Sequence, residues 1–190
     1  ERRPDQACFG YAVGPTGLKR YLHQPEACLF AVESNGSPFH ILEDRTEVPA
    51  RAFVGVRACD LAALARQDRV LLEDRYPDPL YRRNRERIFL VAVSCTDPSA
   101  SCFCASMGTG PEPEDGFGIL LTEIGSAQTS RFVARAGTDP GREVLDRLEL
   151  PHATNEDLRE ARDAIAAGKA RITRRLDTAN LRESLTAHFA

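Results

Sequence analysis

The segment Ile88-Phe-Leu-Val-Ala-Val93 is apolar at every position, and Cys95 follows two residues after its end. A short apolar run without alternation is typical of a strand that is covered on both faces, as in a parallel sheet. A second apolar run, Ala52-Phe-Val-Gly-Val56, is followed closely by Cys59. The chain between the two runs is long enough for a helical crossover, so the sequence predicts a parallel β-α-β unit.

This predicted unit brings two cysteines to the same edge of a sheet. Parallel strands end at one edge, and ligands of open α/β sheets bind there. We expect Asp60 to cap the crossover helix. Cys59 would then lie at the turn before the helix, close to free N–H groups and the positive end of the helix dipole, which favours a thiolate or an anionic ligand. The apolar residues predicted to share one face of this helix are Leu61, Leu64, Ala65, Leu71 and Leu72.

Three of the six cysteines fall within Cys95-Thr-Asp-Pro-Ser-Ala-Ser-Cys102-Phe-Cys104. Cys95 immediately precedes residues 96–117, and Cys102 and Cys104 lie within this segment, which is rich in Ser, Gly and Pro and is predicted to be a long functional loop. Four thiolates suit an iron–sulfur cluster and also tetrahedral zinc. The short Cys-x-x-Cys knuckles of structural zinc sites are missing here. The sequence therefore predicts one metal centre, a 4Fe–4S cluster with zinc as the alternative, bound by Cys59, Cys95, Cys102 and Cys104.

Other residues have predicted supporting roles. Arg57 can offset the negative charge of a cluster, and Asp60 can fix the Cys59 turn. Cys8 and Cys28 each stand alone in the sequence, and a lone cysteine is usually a small buried apolar residue. Without a metal, Cys102 and Cys104 would instead form a redox-sensing thiol pair.

The flanking sequence predicts the rest of an α/β fold with a mixed sheet, a β-hairpin and a helical C-terminal connector. Residues 1–150 are expected to form the α/β cysteine-cluster domain, and residues 151–190 the connector toward a missing C-terminal ferredoxin-like domain. The predicted elements are a hairpin of strands 29–33 and 39–42, a short helix at 18–22, a basic helix at 80–87, a hairpin of strands 118–124 and 130–135, a helix from Asp139, a helix from Thr154 that ends at Gly168, and a helix at about 178–188.

Composition narrows the function classes. The net charge of −3 gives no general attraction to nucleic acid. No apolar run approaches the roughly 20 residues of a membrane span, and no secretory signal is visible. Clustered cysteines in such a chain fit a thiol-keeping cytoplasm, so we expect a cytoplasmic protein. The sequence shows no hydrolase arrangement of Ser, His and Asp.

Three motifs together resemble a known family: Phe53-Val-Gly-Val-Arg-Ala-Cys-Asp60, Ser94-Cys-Thr-Asp-Pro98 and Cys102-Phe-Cys-Ala-Ser-Met-Gly-Thr-Gly-Pro111. Over about residues 25–190, the chain resembles the upstream part of the iron–sulfur beta subunits of sulfhydrogenases and of the A subunit of anaerobic sulfite reductases. A ferredoxin-like 4Fe–4S dicluster domain follows in that family. This chain reaches Phe189 without a Cys-x-x-Cys-x-x-Cys run, so we expect it to lack the paired clusters.

The resemblance implies an electron-transfer role without catalysis by these residues themselves. The implied partners are a flavin- and NAD(P)-binding subunit and a catalytic hydrogenase or sulfite reductase subunit. The sequence leaves a second reading open, in which the chain is a structural and docking module with zinc or no metal at its cysteines.

Overall fold

A computed structural model describes residues 7–10, 17–34, 36, 39–43, 47–125, 129–177 and 179–189. Its elements in chain order are α1 (Lys19–Leu22), β1 (Phe30–Glu33), β2 (His40–Glu43), β3 (Arg51–Val56), α2 (Ala58–Leu71), α3 (Pro79–Glu86), β4 (Ile88–Val93), β5 (Ile119–Ile124), β6 (Arg131–Ala136), α4 (Asp139–Arg147), α5 (Asn155–Arg171) and α6 (Leu181–Ala187). The α/β fold class is confirmed. The turn that Gly14-Pro-Thr-Gly17 indicates before α1 lies mostly outside the described residues.

The main sheet has four strands in the order β3-β4-β5-β6. The first three strands are parallel, and β6 is antiparallel to β5. Apolar side chains such as Leu90 of β4 and Leu120 of β5 are almost fully buried. The predicted parallel unit and the β5–β6 hairpin are therefore both confirmed, and the strand order places the carboxyl ends of β3, β4 and β5 at one edge.

The crossover from β3 to β4 runs through α2 and α3. Leu61 and Leu64 of α2 pack into the core, whereas Ala65, which was predicted to lie on the same face, is exposed. Asp78 caps α3 by accepting hydrogen bonds from the backbone N–H groups of Leu80 and Tyr81 at 2.8 and 3.0 Å. This crossover covers one face of the sheet, as the apolar run of β4 predicted.

The start of α2 differs in detail from the prediction. The helix begins at Ala58 with Arg57 as its N-cap, and the carboxylate of Asp60 accepts the Arg57 N–H at 3.2 Å. Asp60 therefore caps from inside the first turn, because a carboxylate at the third helical position can reach back to the N-cap backbone. Cys59 consequently lies in the first helical turn and not in a turn before it.

The basic helix α3 is tied to α2 by one of its arginines. Arg85 Nε lies 3.0 Å from an Asp68 carboxylate oxygen, and the Tyr81 hydroxyl donates to Asp68 at 2.7 Å. Tyr81 is buried, and this hydrogen bond and burial raise its pKa, with burial the larger cause. At least this part of the basic helix is structural, while Arg82 stays exposed.

The C-terminal third contains helices that pack unequally. Thr154 and Asp157 form a capping box at the start of α5, as predicted from Thr154. The predicted end at Gly168 is wrong: α5 continues to Arg171, and Gly168 is buried inside it. The later helix α6 exposes Leu185, and Phe189 beyond it is 91% exposed.

The β1–β2 hairpin forms a separate two-stranded sheet, as predicted, although Asn35 at the centre of its predicted turn lies outside the described residues. Phe30 pairs with Glu43 and Val32 with Ile41, and the apolar members of these pairs are exposed. Within the described ranges, none of the helices is both long and apolar enough to cross a membrane.

Candidate metal centre

Cys59 and Cys95 lie at the carboxyl ends of adjacent parallel strands. Cys59 is in the first turn after β3, and Cys95 follows β4 by two residues. The Ser94 backbone N–H bonds to the Leu121 carbonyl at 2.9 Å, and the buried Ser94 hydroxyl contacts that of Thr122 at 2.9 Å. The strand end that delivers Cys95 is therefore fixed to β5 by both backbone and side chain.

The loop between β4 and β5 folds back on itself around Cys104. The N–H groups of Met107 and Thr109 both bond to the Cys104 carbonyl, at 3.2 and 3.1 Å. The Cys95 N–H bonds to the Pro111 carbonyl at 3.1 Å, which ties the start of the loop to its return. These turns keep the cysteine segment at the carboxyl edge of the sheet before the chain crosses to the start of β5.

Gly110 makes the close contact that joins this loop to α2. A Cβ placed on Gly110 would lie 3.1 Å from the Cβ of Ala58 and 3.2 Å from the sulfur of Cys104. Only a residue without a side chain allows this approach with the neighbours in place. The Cys104 sulfur is thereby held against the first turn of α2, which also carries Cys59.

The electrostatics of the thiols link all four predicted ligands. Burial, then Asp60 and Cys104, raise the pKa of the Cys59 thiol to about 11. Burial also raises the pKa of Cys95 and of Cys104, with repulsion from Cys102 adding to both. Such repulsion acts over short distances, so the fold brings the four thiols into one neighbourhood.

Cys59 is exposed as a residue, whereas its sulfur is partly buried. The residue is exposed, but neighbouring atoms surround its sulfur enough for burial to be the largest cause of the raised pKa. Hydrogen bonds from the backbone of Asp60 and of Cys59 itself act in the opposite direction. The expectation that this helix start favours a thiolate is wrong for the metal-free chain, because desolvation outweighs the backbone N–H groups.

The thiols of Cys95 and Cys104 also accept backbone hydrogen bonds. The backbone of Asp97 lowers the pKa of Cys95, and those of Ala105 and Cys104 lower the pKa of Cys104, although the net shift is upward in both. Backbone N–H groups that bond to cysteine sulfur are among the features that set the potential of iron–sulfur clusters. The small residues that the sequence contains after Cys104 are compatible with this arrangement.

Arg57 lies beside the thiols and is only 6% exposed. Its guanidinium donates to the carbonyls of Ser94, at 3.5 Å, and of Phe9. The positive charge lowers the pKa of Cys95. The predicted proximity of Arg57 to the cysteines is thus found, and Arg57 also ties the N-terminal segment to this edge of the sheet.

The remaining two cysteines differ from their prediction. Cys8 and Cys28 are both exposed, so the expectation of small buried apolar residues is wrong for each. The backbone N–H of Cys8 bonds to Glu123 at 2.8 Å, and the thiol of Cys28 lies 3.6 Å from the Phe30 carbonyl. Both segments run over the surface of the sheet domain, where their small side chains have no cover.

Two residues that sequence reasoning missed contact the cysteine loop from α5. Gly168 packs against the backbone of Cys95 and Thr96, and Arg171 forms an ion pair with Asp97 at 3.3 Å. Neither contact could be predicted from the sequence: a glycine after an apolar stripe usually indicates a helix end, and an arginine near a helix end does not show which residue it will contact.

The four thiols are not arranged around a single ion. Within the described ranges, no group of three or more His, Cys, Asp or Glu side chains is placed to hold one metal ion. The loop and helix contacts bring the thiols near one another, but a bound group would have to span the distances between them.

Comparison with known proteins gives one informative match. This chain is similar to a sulfhydrogenase beta subunit. It is 33% identical over 164 residues to the sulfhydrogenase 2 subunit beta of Pyrococcus furiosus. The aligned region covers 84% of this chain and 45% of that relative, so the chain spans less than half of the relative's length.

The match supports the resemblance that the three cysteine-containing motifs indicated. No protein-family model matches the chain. A search of solved structures also gave no significant match.

Proposed function

We propose that this chain is part of an electron-transfer subunit of a hydrogenase- or sulfite reductase-type oxidoreductase. In this proposal Cys59, Cys95, Cys102 and Cys104 bind a 4Fe–4S cluster. The observation that carries the proposal is the meeting of these thiols at the carboxyl edge of a parallel sheet. The similarity to a sulfhydrogenase beta subunit supports the oxidoreductase class.

The donor set fits a cluster better than a single zinc ion. Zinc–sulfur bonds of about 2.3 Å in a tetrahedral site require sulfurs in near contact with one another. A cluster is several atoms across and binds each cysteine through a different iron, so its ligands stand farther apart. The four cysteine ligands of the proposal suit such a cluster.

The thermodynamics of the thiols also agree with a metal group. Burial and mutual repulsion oppose ionisation of Cys59, Cys95 and Cys104 in the metal-free chain. Metal binding requires thiolates, and a positively charged centre would compensate for the burial and repulsion that oppose their ionisation. Backbone N–H groups at these sulfurs would stabilise the thiolates further.

When bound, the cluster supplies reversible one-electron transfer. The residues of this chain would hold the group and set its environment. Arg57 would place a buried positive charge beside Cys95, and Asp60 would hold the first turn of α2 at Cys59. The exposure of Cys59 would leave one side of the group close to the protein surface, where electrons can pass to a partner.

The proposal extends to the assembly in which the chain works. The partners would be a flavin- and NAD(P)-binding subunit and a catalytic subunit that acts on hydrogen, sulfur or sulfite, all in the cytoplasm. Residues 151–190 would lead toward a ferredoxin-like domain of the subunit. The similarity to a sulfhydrogenase beta subunit supports an assembly of the oxidoreductase class.

A second candidate function is a structural and docking module. The absence of a single-ion arrangement among the described residues, together with the raised thiol pKa values, is also what neutral cysteines without a metal would show. In that case the domain would hold partner subunits in place, with zinc or nothing at the thiols.

Metal analysis separates the two functions. The chain is purified without oxygen, and iron, zinc and acid-labile sulfide are measured per chain together with the visible spectrum. About four irons and four sulfides per chain are expected for the cluster. Stoichiometric zinc without sulfide, or no metal after anaerobic reconstitution with iron and sulfide, would favour the docking module and contradict the proposal.

A further inference from the structure

The C-terminal half of α5 is packed against the backbone that carries Cys95. A Cβ on Gly168 would lie 2.8 Å from the Cys95 carbonyl oxygen and 3.1 Å from Thr96 Cα. These neighbours are main-chain atoms, which cannot rotate away as the end of a flexible side chain can. The position therefore requires glycine, even though glycine destabilises a helix interior relative to alanine.

Arg171 holds the same backbone from the next turn of the helix. Its guanidinium forms an ion pair with Asp97 at 3.3 Å and donates to the Thr96 carbonyl. The backbone of Asp97 in turn hydrogen-bonds the Cys95 sulfur. One side chain thus fixes two consecutive residues after Cys95, including the residue whose backbone bonds to its sulfur.

The segment after α5 also contacts the cysteine loop. The backbone N–H of Leu176 bonds to the Ser106 hydroxyl at 3.2 Å, and that hydroxyl bonds to the Phe103 carbonyl at 2.8 Å. Phe103 lies between the predicted ligands Cys102 and Cys104. Both parts of the cysteine loop are therefore in contact with the chain beyond residue 167.

The N-terminal half of α5 is anchored elsewhere on the sheet. Arg131 at the start of β6 bonds to Asp157 at 2.5 Å and to Glu160 at 2.9 Å. Glu160 also accepts the backbone N–H of Gly125, just after β5, at 2.8 Å. The helix has 17 residues and is about 25 Å long, so it connects the β5–β6 end of the sheet to the cysteine loop.

We propose that α5 positions Cys95 for the metal centre, with Gly168 and Arg171 as its positioning residues. This inference rests on the proposed function for the identity of the bound group, but the placement of Cys95 can be tested without it. The helix lies in the part of the chain that the sequence assigned to a connector. A contact that moves the C-terminal segment would therefore also change the position of Cys95, one of the proposed ligands.

The test compares two variants with two matched controls in the full chain. Gly168→Ala inserts a methyl group at the contact, and Arg171→Gln removes the ion pair with Asp97. Gly17→Ala is the glycine control, because a Cβ there meets nothing within 4 Å and φ is not in the left-handed region. Arg162→Gln is the arginine control, because Arg162 is an exposed residue of the same helix.

The first readout is the rate of iodoacetamide alkylation at each cysteine of the metal-free protein, measured by peptide mass spectrometry. Both positioning variants are expected to change the Cys95 rate severalfold relative to Cys28 in the same sample, and the controls are expected to leave it unchanged. Arg171→Lys, which keeps the positive charge facing Asp97, is expected to restore part of the wild-type rate. Unchanged Cys95 rates in folded Gly168→Ala and Arg171→Gln proteins would overturn the inference.

The second readout is iron and sulfide content with the visible spectrum after anaerobic reconstitution. Lower occupancy or a shifted spectrum in the two variants supports positioning for the metal centre. If the wild type takes up no iron but the Cys95 rates change as expected, the proposed function fails while α5 remains the element that positions Cys95. If Gly168→Ala does not fold by circular dichroism, Arg171→Gln and its lysine counterpart decide the question on the same readouts.

Discussion

The two ends of the parallel strands carry cysteines in very different surroundings. At the amino end, Cys28 lines a cavity of about 260 Å³ together with Arg51, the first residue of β3. At the carboxyl end, burial and neighbouring thiols raise the pKa values of Cys59, Cys95 and Cys104 beside backbone N–H groups and the buried Arg57. A cavity of similar volume, about 270 Å³, is lined by Ala58 and Gly110 beside the cysteine loop, so the two ends differ in their thiols and not in the presence of a cavity.

The difference shows how a structural end and a reactive end can be distinguished. Around the amino-end cavity, the Asn84 amide donates to the Leu22 carbonyl at 3.0 Å and Tyr81 donates to Asp68, while one guanidinium nitrogen of Arg51 is buried without a hydrogen-bond partner among the described residues. At the carboxyl end, burial and like-charge repulsion leave thiols whose ionised forms are opposed in the metal-free chain. Thiols with raised pKa values at the carboxyl edge of a parallel sheet, where ligands usually bind, therefore say more about function than a cavity does.

The largest expected effect separates the two groups of cysteines. Cys102→Ser removes one proposed ligand and is expected to abolish most of the visible absorption of the anaerobically reconstituted chain while preserving its circular dichroism. Cys28→Ser, at the other end of the sheet, is expected to keep full absorption. Equal colour in the two variants would contradict ligation by Cys102.

A smaller effect is expected at the contact between the loop and α2. Gly110→Ala places a methyl group 3.2 Å from the Cys104 sulfur, which must move by a few tenths of an ångström. We expect partial loss of iron per chain, because one ligand is displaced but not removed. Gly17→Ala serves as the control in open space. Iron and sulfide contents equal to those of the wild type would show that the loop adapts to the extra methyl group without cost to the metal centre.

Arg57→Gln is expected to change the potential of the centre more than its occupancy. Loss of a buried positive charge disfavours the reduced, more negative cluster, so the midpoint potential should fall by an amount on the order of tens of millivolts. The lost hydrogen bonds to Ser94 and Phe9 should also lower the free energy of unfolding by about 2 kcal/mol.

The control for this variant is Arg66→Gln, at an exposed arginine of α2. Potentials are measured by redox titration followed in the visible spectrum, and stability by chemical denaturation. An unchanged potential in Arg57→Gln would mean that the arginine is structural only.

Much of the fold could be predicted because each signal was local. Six apolar residues in a row identified β4, and Cys95 two residues later placed a candidate ligand at the edge of the sheet. Thr154 as an N-cap residue identified the start of α5, because a capping hydrogen bond joins residues only three apart in sequence. Spacing along the chain was sufficient for both.

The missed features depend on tertiary contacts. Gly168 has the sequence context of a helix end, but in the structure it is inside α5, where the approach of the Cys95 carbonyl leaves no room for a side chain. The exposure of Cys28 depends on what covers its segment, which a lone cysteine does not reveal. Strand order predicted that Cys59 and Cys95 lie at one edge of the sheet, and clustering in the sequence added Cys102 and Cys104, but the arrangement of the four about a bound group cannot be derived from spacing.

The smallest expected effect comes from Thr154, the N-cap of α5, which contacts none of the cysteine thiols. Thr154→Ala removes the N-cap of α5 and should lower the free energy of unfolding by about 1 kcal/mol. The pKa of Asp157 is lowered, and the largest cause is the hydrogen bond that its carboxylate accepts from the Thr154 side chain. The Asp157 carboxylate therefore stabilises the fold above its usual pKa of 3.8. This stabilisation is lost as the pH falls through the lower pKa of Asp157 in the folded state.

Removing the Thr154 hydroxyl should therefore also reduce the difference in the free energy of unfolding between neutral and acidic pH. Chemical denaturation at about pH 7 and about pH 3 would measure this difference. Thr138→Ala is the matched control: Thr138 caps α4 by accepting from the Gly141 N–H at 3.3 Å, a bond without a carboxylate. It should lower the free energy of unfolding without reducing its dependence on acid pH.

Iron content and colour should match the wild type in both variants, because fraying the first turn of α5 leaves the contact at Gly168 intact. Loss of colour in Thr154→Ala alone would instead show that the whole helix, and not only its C-terminal half, holds the cysteine end of the sheet.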